Sequence, residues 1–205
     1  MAAKTWSHTP SSFFLLWLSI SLTLVTWDLG YVFFRPHSMP GGKYHIFWKP
    51  YSIYCEVDLV YGFKHYEDGE GFNPAQSTLN FFETSMYLYY IYLVRSYAGA
   101  AGAKVGKFGQ TRMVGSPAAK AVVWGLVASM ATFWKTALYF LQEILGNYKH
   151  IGHNSPSMLF WYWILPNTPW IIVPLYMTYS FGSEIVEGLT VASTGSEENG
   201  VKKVK

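Results

Sequence analysis

Ionisable and amide side chains lie inside long apolar stretches of this 205-residue chain, where they could bind or protonate a ligand. They are Asp28, Glu83, Lys135, Gln142, Glu143 and Asn167. The apolar stretches cover about 12–34, 74–97, 121–145 and 157–182, and a membrane-spanning helix needs ~20 residues. A charge near the bilayer centre costs ~2.5–3.5 kcal/mol, so such groups normally face a protein interior or a ligand. The sequence therefore predicts a small membrane protein with a polar pocket.

Helical spacing collects these polar residues onto common faces. One face of the third stretch carries Thr132, Lys135, Tyr139 and Gln142, and one face of the second carries Glu83, Tyr87, Tyr90 and Val94. Asn167 and Trp170, three residues apart on the fourth stretch, point the same way. We expect one cavity to be lined by Asp28, Glu83, Lys135, Asn167 and Trp170.

Each of these residues also has a purely structural interpretation. Glu83 could be a carboxylate at a helix N-terminus, which the helix dipole favours. Lys135 could pair with Asp28 or with Glu83 as a structural ion pair, and Asn167 could form an interhelical hydrogen bond. Trp170 could serve packing alone. The sequence leaves these alternatives open.

Composition excludes several classes of protein and site. Hydrophobic residues make up 51% of the chain and charged ones 13%, about half the usual charged share of a soluble domain. The net charge of +3 gives no electrostatic footprint for nucleic acid. A single cysteine, Cys55, excludes an internal disulfide, and the histidines lack the spacing of metal ligands. We expect no metal and no cofactor.

The fold class that follows is an all-α, polytopic membrane protein with four transmembrane helices in a bundle. We expect a cytosolic leader over 1–11, a four-helix membrane domain over 12–182, and a disordered cytosolic tail over 183–205. The loop over 98–120 is basic and contains no acidic residue, which places it in the cytosol and the 35–73 segment in the lumen. The last four residues have the K-K-x-x form of a retrieval signal for the endoplasmic reticulum.

Several of these segments together resemble a known family. "ETSMYLYY", "LYFLQE" and "FWYWILPNTPWIIVPLYM" look like the emopamil-binding protein family, whose EXPERA superfamily includes sterol isomerases and the sigma-two receptor. The similarity covers most of residues 15–185. Trp48, Tyr51, Asp58 and Tyr61 resemble the aromatic and acidic pattern of the family's lumenal segment.

The resemblance implies cofactor-independent isomerisation of a ring alkene. A buried carboxyl would protonate the alkene, an indole face would stabilise the cation, and a polar group would remove the second proton. By position, Glu83 matches the family's second-helix glutamate, Asn167 its amide and Trp170 its aromatic residue. Asp28 falls near the first-helix acidic position, but Leu24 stands where the active sterol isomerases carry a histidine.

The leading hypothesis is a multi-pass endoplasmic-reticulum isomerase of a sterol or polycyclic terpenoid-like lipid. Asp28 and Glu83 would handle protons, while the substrate would be bound by Asn167, Trp170, Lys135, Tyr87 and Tyr139. The alternatives are a non-catalytic sterol- or amphiphile-binding protein of the sigma-two receptor type, and an isomerase, cyclase or accessory factor in a natural-product pathway. The expected partners are that lipid and the surrounding membrane lipids, with no nucleic acid; a homodimer stays open.

Overall fold

A computed structural model of the protein describes residues 6–98 and 112–203, with side chains to residue 194, and most of these residues are helical. In chain order the first half contains a strand β1 (Ser7–His8), α1 (Ser12–Phe33), a 3₁₀ turn (His45–Trp48), α2 (Tyr51–Val57), a second 3₁₀ turn (Leu59–Tyr61), α3 (Phe63–Glu67) and α4 (Phe72–Tyr97). The second half contains β2 (Met113–Val114), α5 (Gly115–Leu145), α6 (Pro156–Leu159), a π-helix (Phe160–Ile164), α7 (Leu165–Asn167) and α8 (Pro169–Lys203).

Two of the helices, α1 and α5, are long and apolar enough to cross a membrane. α1 has 22 residues and α5 has 31, so each exceeds the ~20 that span the hydrocarbon core. The other two stretches that the sequence marks as spans are helical as well, within α4 and within α6 to α8.

The contacts divide the chain into two compact units. Unit 1 comprises residues 1–19, 85–130 and 175–205, and unit 2 comprises 20–84 and 131–174. In unit 1, Phe181 is fully buried and packs against the rings of Phe14 and Tyr90. In unit 2, a cluster built on Tyr31 and Trp48 fills the space between α1 and the segment that follows it.

The chain around Asn167 departs from a regular α-helix, as its prolines predict. Leu165 donates its N–H to the carbonyl of Phe160, five residues back, which closes the π-helix. The Asn167 side chain donates to the Trp163 carbonyl at 2.7 Å, and the Thr168 hydroxyl donates to the Ile164 carbonyl at 2.7 Å. The neighbouring prolines have no backbone N–H to donate. Side-chain donors therefore supply hydrogen bonds to backbone carbonyls in this stretch.

Some expectations need correction. The tail from 183, predicted to be disordered, continues α8, which remains helical to Lys203. Trp6 explains part of this order, since its indole N–H donates to the carbonyl of Glu184 at 3.0 Å and its ring lies against Gly188. The all-α prediction did not include the two-residue strands β1 and β2. These strands pair antiparallel where the leader lies beside the residues just before α5.

The third apolar helix also begins earlier than expected, at Gly115 instead of about residue 121. The basic loop expected over 98–120 falls largely outside the described residues, as do the first five residues of the leader and the end of the K-K-x-x motif.

Candidate functional site

A cavity inside unit 2 collects most of the polar residues that the sequence singles out. Its volume is about 390 Å³. Apolar surface dominates its wall, with contributions from Leu24, Trp27, Ile53 and Trp170. Its polar side chains are Asp28, Tyr51, Tyr54, Tyr61, Gln76, Asn80, Lys135, Thr136, Tyr139, Tyr162 and Asn167. An apolar cavity of this size with a few converging polar groups is typical of a small-molecule site.

The carboxyl of Asp28, on α1, is held by two phenols. Tyr51 donates its O–H to Oδ1 of Asp28 at 2.5 Å, and Tyr61 also hydrogen-bonds to this carboxyl. Burial raises the pKa of both tyrosines well above 10, so they remain protonated donors at neutral pH. Among the side chains of residues 6–98 and 112–194, no Lys, Arg or His forms an ion pair with Asp28. Asp28 is therefore a carboxyl without a fixed counter-ion that faces an apolar cavity.

The segment after α1 is attached to α1 by aromatic side chains, and this attachment places Tyr51. The indole N–H of Trp48 donates to the carbonyl of Trp27 at 2.8 Å. The Trp48 ring lies so close to Gly30 that a Cβ there would approach it to 2.7 Å. Tyr31 stacks on Tyr51 with ring centroids 3.9 Å apart. The phenol is thereby fixed beside the cavity carboxyl.

A second polar group in the cavity wall is an ion pair between α4 and α5. Nζ of Lys135 lies 2.7 Å from Oε2 of Glu83, and it also donates to Oδ1 of Asn80. The side chains of Lys135 and Glu83 are 8% and 4% exposed. Lys135 and Asn80 line the cavity, whereas Glu83 lies behind the ammonium. The ion pair stabilises both charges at this buried position, because burying either charge alone would carry a large desolvation penalty.

Asp58 forms a third polar group, just outside the cavity wall. It is fully buried and follows α2, where its Oδ1 accepts from the N–H of Val60 at 3.0 Å. Its Oδ2 accepts from the phenol of Tyr139 and from the indole of Trp163 at 3.1 Å. Burial raises the pKa of Asp58 to about 6, against the opposing effect of these three donated hydrogen bonds.

Asn167 and Trp170 connect the fourth helical stretch to the other elements of unit 2. Nδ2 of Asn167 lies 3.3 Å from the hydroxyl of Tyr54, to which it donates. The indole of Trp170 donates to the hydroxyl of Ser21 on α1 at 2.9 Å. Both residues line the cavity, in agreement with their spacing of three along the helix.

Five of the seven residues proposed from sequence therefore line one cavity: Asp28, Lys135, Tyr139, Asn167 and Trp170. Glu83 contacts the cavity only through Lys135, and it lies in the middle of α4 rather than at a helix end. Tyr87 is 2% exposed, belongs to unit 1 and is not among the lining residues.

Sequence reasoning missed Gln76 and Asn80, although a signal was present. With Glu83 they follow the helical spacing i, i+4 and i+7, which marks a single face of α4. The sequence also indicated no role for Tyr54. The segment after α1 has no regular spacing of apolar residues, so the side chains that share one face could not be predicted.

Two further polar clusters are built on the buried His8 and the partly buried His150. In unit 1, His8 bonds through Nδ1 to Glu184 at 2.7 Å and through Nε2 to Tyr90 at 3.2 Å. In unit 2, Nδ1 of His150 lies 2.6 Å from Glu143. In the part of the chain whose side chains are described, 6–98 and 112–194, no three His, Cys, Asp or Glu side chains are grouped as a metal site would require.

Comparison of the chain with protein-family models and with curated proteins gave no match. The resemblance to the emopamil-binding protein family therefore stays a prediction.

Proposed function

We propose that this protein is a membrane isomerase that shifts an alkene in a sterol or another polycyclic, terpenoid-like lipid without a cofactor. The observation that carries the proposal is the position of Asp28. Its carboxyl lacks a fixed counter-ion among the described residues, accepts hydrogen bonds from two phenols, and opens on an aromatic cavity of about 390 Å³. A carboxylic acid in such a site can protonate a bound alkene.

The reaction conserves atoms and electrons. The π electrons of the alkene take the proton of Asp28, so a C–H bond forms and a carbocation develops on the neighbouring carbon. A base then removes a proton from the carbon on the other side of the cation, and that C–H pair becomes the new π bond. Substrate and product are isomers, and exchange with water restores the proton of Asp28.

The cavity offers stabilisation for the cation. The aromatic rings of Trp27, Tyr51 and Trp170 line it, and a cation within ~6 Å of an aromatic ring centroid is attracted to the ring face. Because the hydrogen bond from Trp170 to Ser21 fixes its indole, the ring does not have to reorganise during the reaction.

The ammonium of Lys135 fits a role in binding the polar end of the lipid. Two of its N–H groups are engaged by Glu83 and Asn80, which leaves a third for an oxygen of the ligand. Because Glu83 neutralises this ammonium, the pair adds little net repulsion to the carbocation. The amide of Gln76, also in the wall, is a further candidate for the same ligand oxygen.

The proposal includes four membrane spans and residence in the endoplasmic reticulum. α1 and α5 meet the length and composition of a span, and the other two helical stretches expose large apolar side chains that suit contact with lipid. Those on α4 are Leu79, Phe81, Phe82, Leu88 and Tyr92, and those on α8 are Ile172, Leu175, Tyr176 and Tyr179.

A glycosylation acceptor inserted at Gly69, an exposed turn position, should be modified if the segment after α1 is lumenal. An unmodified Gly69 tag together with a modified tag after Lys205 would overturn this orientation.

The activity can be tested in membranes that contain the protein, incubated in deuterated water with sterols that carry a ring alkene. The expected product is the shifted alkene with one deuterium on the carbon that was protonated. Asp28→Asn should abolish the product, and Asp68→Asn is the matched control because it removes an exposed carboxyl of the same unit. An unlabelled product, or full activity in Asp28→Asn, would refute the proposal.

A second candidate function is binding of an amphiphilic amine or sterol without catalysis. The observation that favours it is the engagement of Glu83 by Lys135, which leaves Asp28 as the cavity carboxyl that can meet a ligand ammonium. This function predicts saturable binding of a radiolabelled amphiphilic amine that is lost in Asp28→Asn, together with no deuterium in any alkene.

A further inference from the structure

A chain of hydrogen bonds leads from the cavity to the buried carboxyl of Asp58. Asn167 donates to the hydroxyl of Tyr54, and that hydroxyl lies 3.2 Å from the hydroxyl of Tyr139. Tyr139 in turn donates to Oδ2 of Asp58. Both tyrosines line the cavity, whereas the carboxyl does not.

The donors in this chain all point in one direction. Because Tyr139 uses its proton toward Asp58, its oxygen accepts from Tyr54, and the oxygen of Tyr54 accepts from Asn167. The indole of Trp163 reinforces the order, since it donates to both Tyr139 and Asp58. A proton that arrives at Tyr54 can therefore be passed on toward the carboxylate by moving each hydroxyl proton one step.

Asp58 has the properties of a proton acceptor at the end of such a chain. Within the described side chains, those of residues 6–98 and 112–194, no Lys, Arg or His forms an ion pair with it. The titratable groups that face it are Tyr54, Cys55, Tyr61, Tyr139 and Glu143, the last of which is paired with His150. Burial raises the pKa of the Tyr54 and Cys55 side chains, so both remain neutral near pH 7.

We propose that Tyr54, Tyr139 and Asp58 form a proton relay that takes up the proton lost by the substrate. The relay rests on the proposed isomerase activity and carries out its second step, the removal of a proton from the carbocation. Asp28 donates the first proton, and the relay removes the other one from a different part of the same cavity. Tyr54 is the catalytic residue that touches the substrate, and Asp58 acts through Tyr139.

The step balances as a proton transfer. The C–H bond next to the carbocation breaks and its electron pair becomes the new π bond. The released proton binds the oxygen of Tyr54 while Tyr54 gives its own proton to Tyr139 and Tyr139 gives its proton to Oδ2 of Asp58. Asp58 ends protonated and returns the proton to water before the next turnover.

The test uses Tyr54→Phe as its principal variant. Phe keeps the ring and its packing, removes the first hydroxyl of the relay, and leaves every hydrogen bond of Asp58 in place. Tyr139→Phe is the second variant, although it also removes one donor to Asp58. Tyr44→Phe is the matched control, since this phenol is exposed and lies outside the cavity.

The assay uses full-length protein in membranes, deuterated water and a sterol with a trisubstituted ring alkene. If the relay is correct, Tyr54→Phe still exchanges deuterium into the starting alkene, because Asp28 can add a proton and take one back. The shifted product should form at least ~10²-fold more slowly, with kcat reduced far more than KM is changed. Tyr44→Phe should match the wild type in both readouts.

A pH profile separates the relay from a merely structural role of Asp58. An ionised acceptor is required, so wild-type kcat should fall about tenfold per pH unit below about 6, in line with the raised pKa of Asp58. In Asp58→Asn the residual product formation should lose this dependence between about pH 5 and pH 7. An unchanged profile in that variant would overturn the relay.

The other outcomes are equally decisive. Formation of the shifted product by Tyr54→Phe at the wild-type rate overturns the relay and leaves the isomerase activity standing. Loss of both exchange and product, in a variant with an unchanged unfolding temperature, assigns the phenol to alkene protonation and also overturns the relay. A wild-type protein that yields neither label nor product refutes the isomerase activity itself.

Discussion

The ammonium of Lys135 on α5 lies 2.7 Å from a carboxylate oxygen of Glu83 on α4, and both side chains are less than a tenth exposed. Glu83 therefore acts on the cavity through a cation instead of facing a ligand directly. Loss of the carboxylate charge would leave the buried ammonium without compensation, which makes Glu83 a poor choice for the proton donor. Of the two carboxyls proposed as acids from sequence, this contact leaves Asp28 as the stronger candidate.

The first prediction concerns the stability of this pair. Glu83→Gln removes the charge that compensates a buried ammonium, so we expect a loss of ~3–5 kcal/mol in the free energy of unfolding. The double variant Glu83→Gln/Lys135→Met should recover stability to within ~1 kcal/mol of the wild type, because no uncompensated charge remains. Thermal unfolding of the purified protein in detergent measures both. A Glu83→Gln protein as stable as the wild type would contradict the buried ion pair.

The second prediction concerns the acid. Asp28→Asn preserves the size of the side chain and an oxygen that can accept the hydrogen bond of Tyr51, so the variant should fold normally. An amide cannot donate a proton to carbon as the acid does, and we expect the isomerisation rate to fall by ~10²–10⁴. Tyr51→Phe should cost less, since it removes one hydrogen bond and leaves the acid. Equal losses in the two variants would indicate that Tyr51, not Asp28, delivers the proton.

Periodicity predicted the helical stretches and the faces of the polar residues because both are local properties of the chain. The face of Glu83, Tyr87, Tyr90 and Val94 is buried throughout, as the spacing requires. Lys135 illustrates what periodicity cannot decide. Its position on a buried face was predictable, but the choice between Asp28 and Glu83 as its partner depends on how neighbouring helices are rotated.

The irregular segment between α1 and α4 was less predictable for a related reason. Tyr51, Tyr54 and Asp58 reach the site through short helices and 3₁₀ turns whose positions depend on contacts with α1 and α5. No repeating spacing marks such contacts in the sequence. His8 was missed similarly, because the partners that bury it, Tyr90 and Glu184, are distant in the chain.

The third prediction tests the packing of unit 1. A Cβ at Gly125 would lie 2.6 Å from the ring of Phe181, which is fully buried and cannot move aside freely. Gly125→Val should therefore lower the free energy of unfolding by ~1–3 kcal/mol. Gly182→Ala is the matched control, since nothing lies within 4 Å of the added Cβ, and it should be neutral or stabilising by up to ~1 kcal/mol. Thermal unfolding gives both values, and equal effects of the two variants would contradict the close approach.

The last prediction concerns the pH dependence of stability that Asp58 imposes. Burial raises the pKa of this carboxyl to about 6, above the value of 3.8 of the free side chain. Between these values the folded protein keeps a proton that the unfolded chain has lost, so stability falls as pH rises. The contribution is fully present below pH 3.8 and is lost as pH rises through about 6. The gap of about two pH units corresponds to ~3 kcal/mol.

The measurement compares the unfolding free energies of the wild type and Asp58→Asn at intervals from about pH 4 to pH 7. The wild type should lose ~3 kcal/mol relative to the variant across this range, because the variant has no group that titrates at this position. Asp68→Asn provides a control whose difference from the wild type should stay nearly constant over this range. The contact with Lys64 lowers the pKa of Asp68, so its contribution is present above about pH 4 and is lost as pH falls. A wild type that gains stability relative to Asp58→Asn between about pH 4 and pH 6 would show that the donors to Asp58 outweigh its burial.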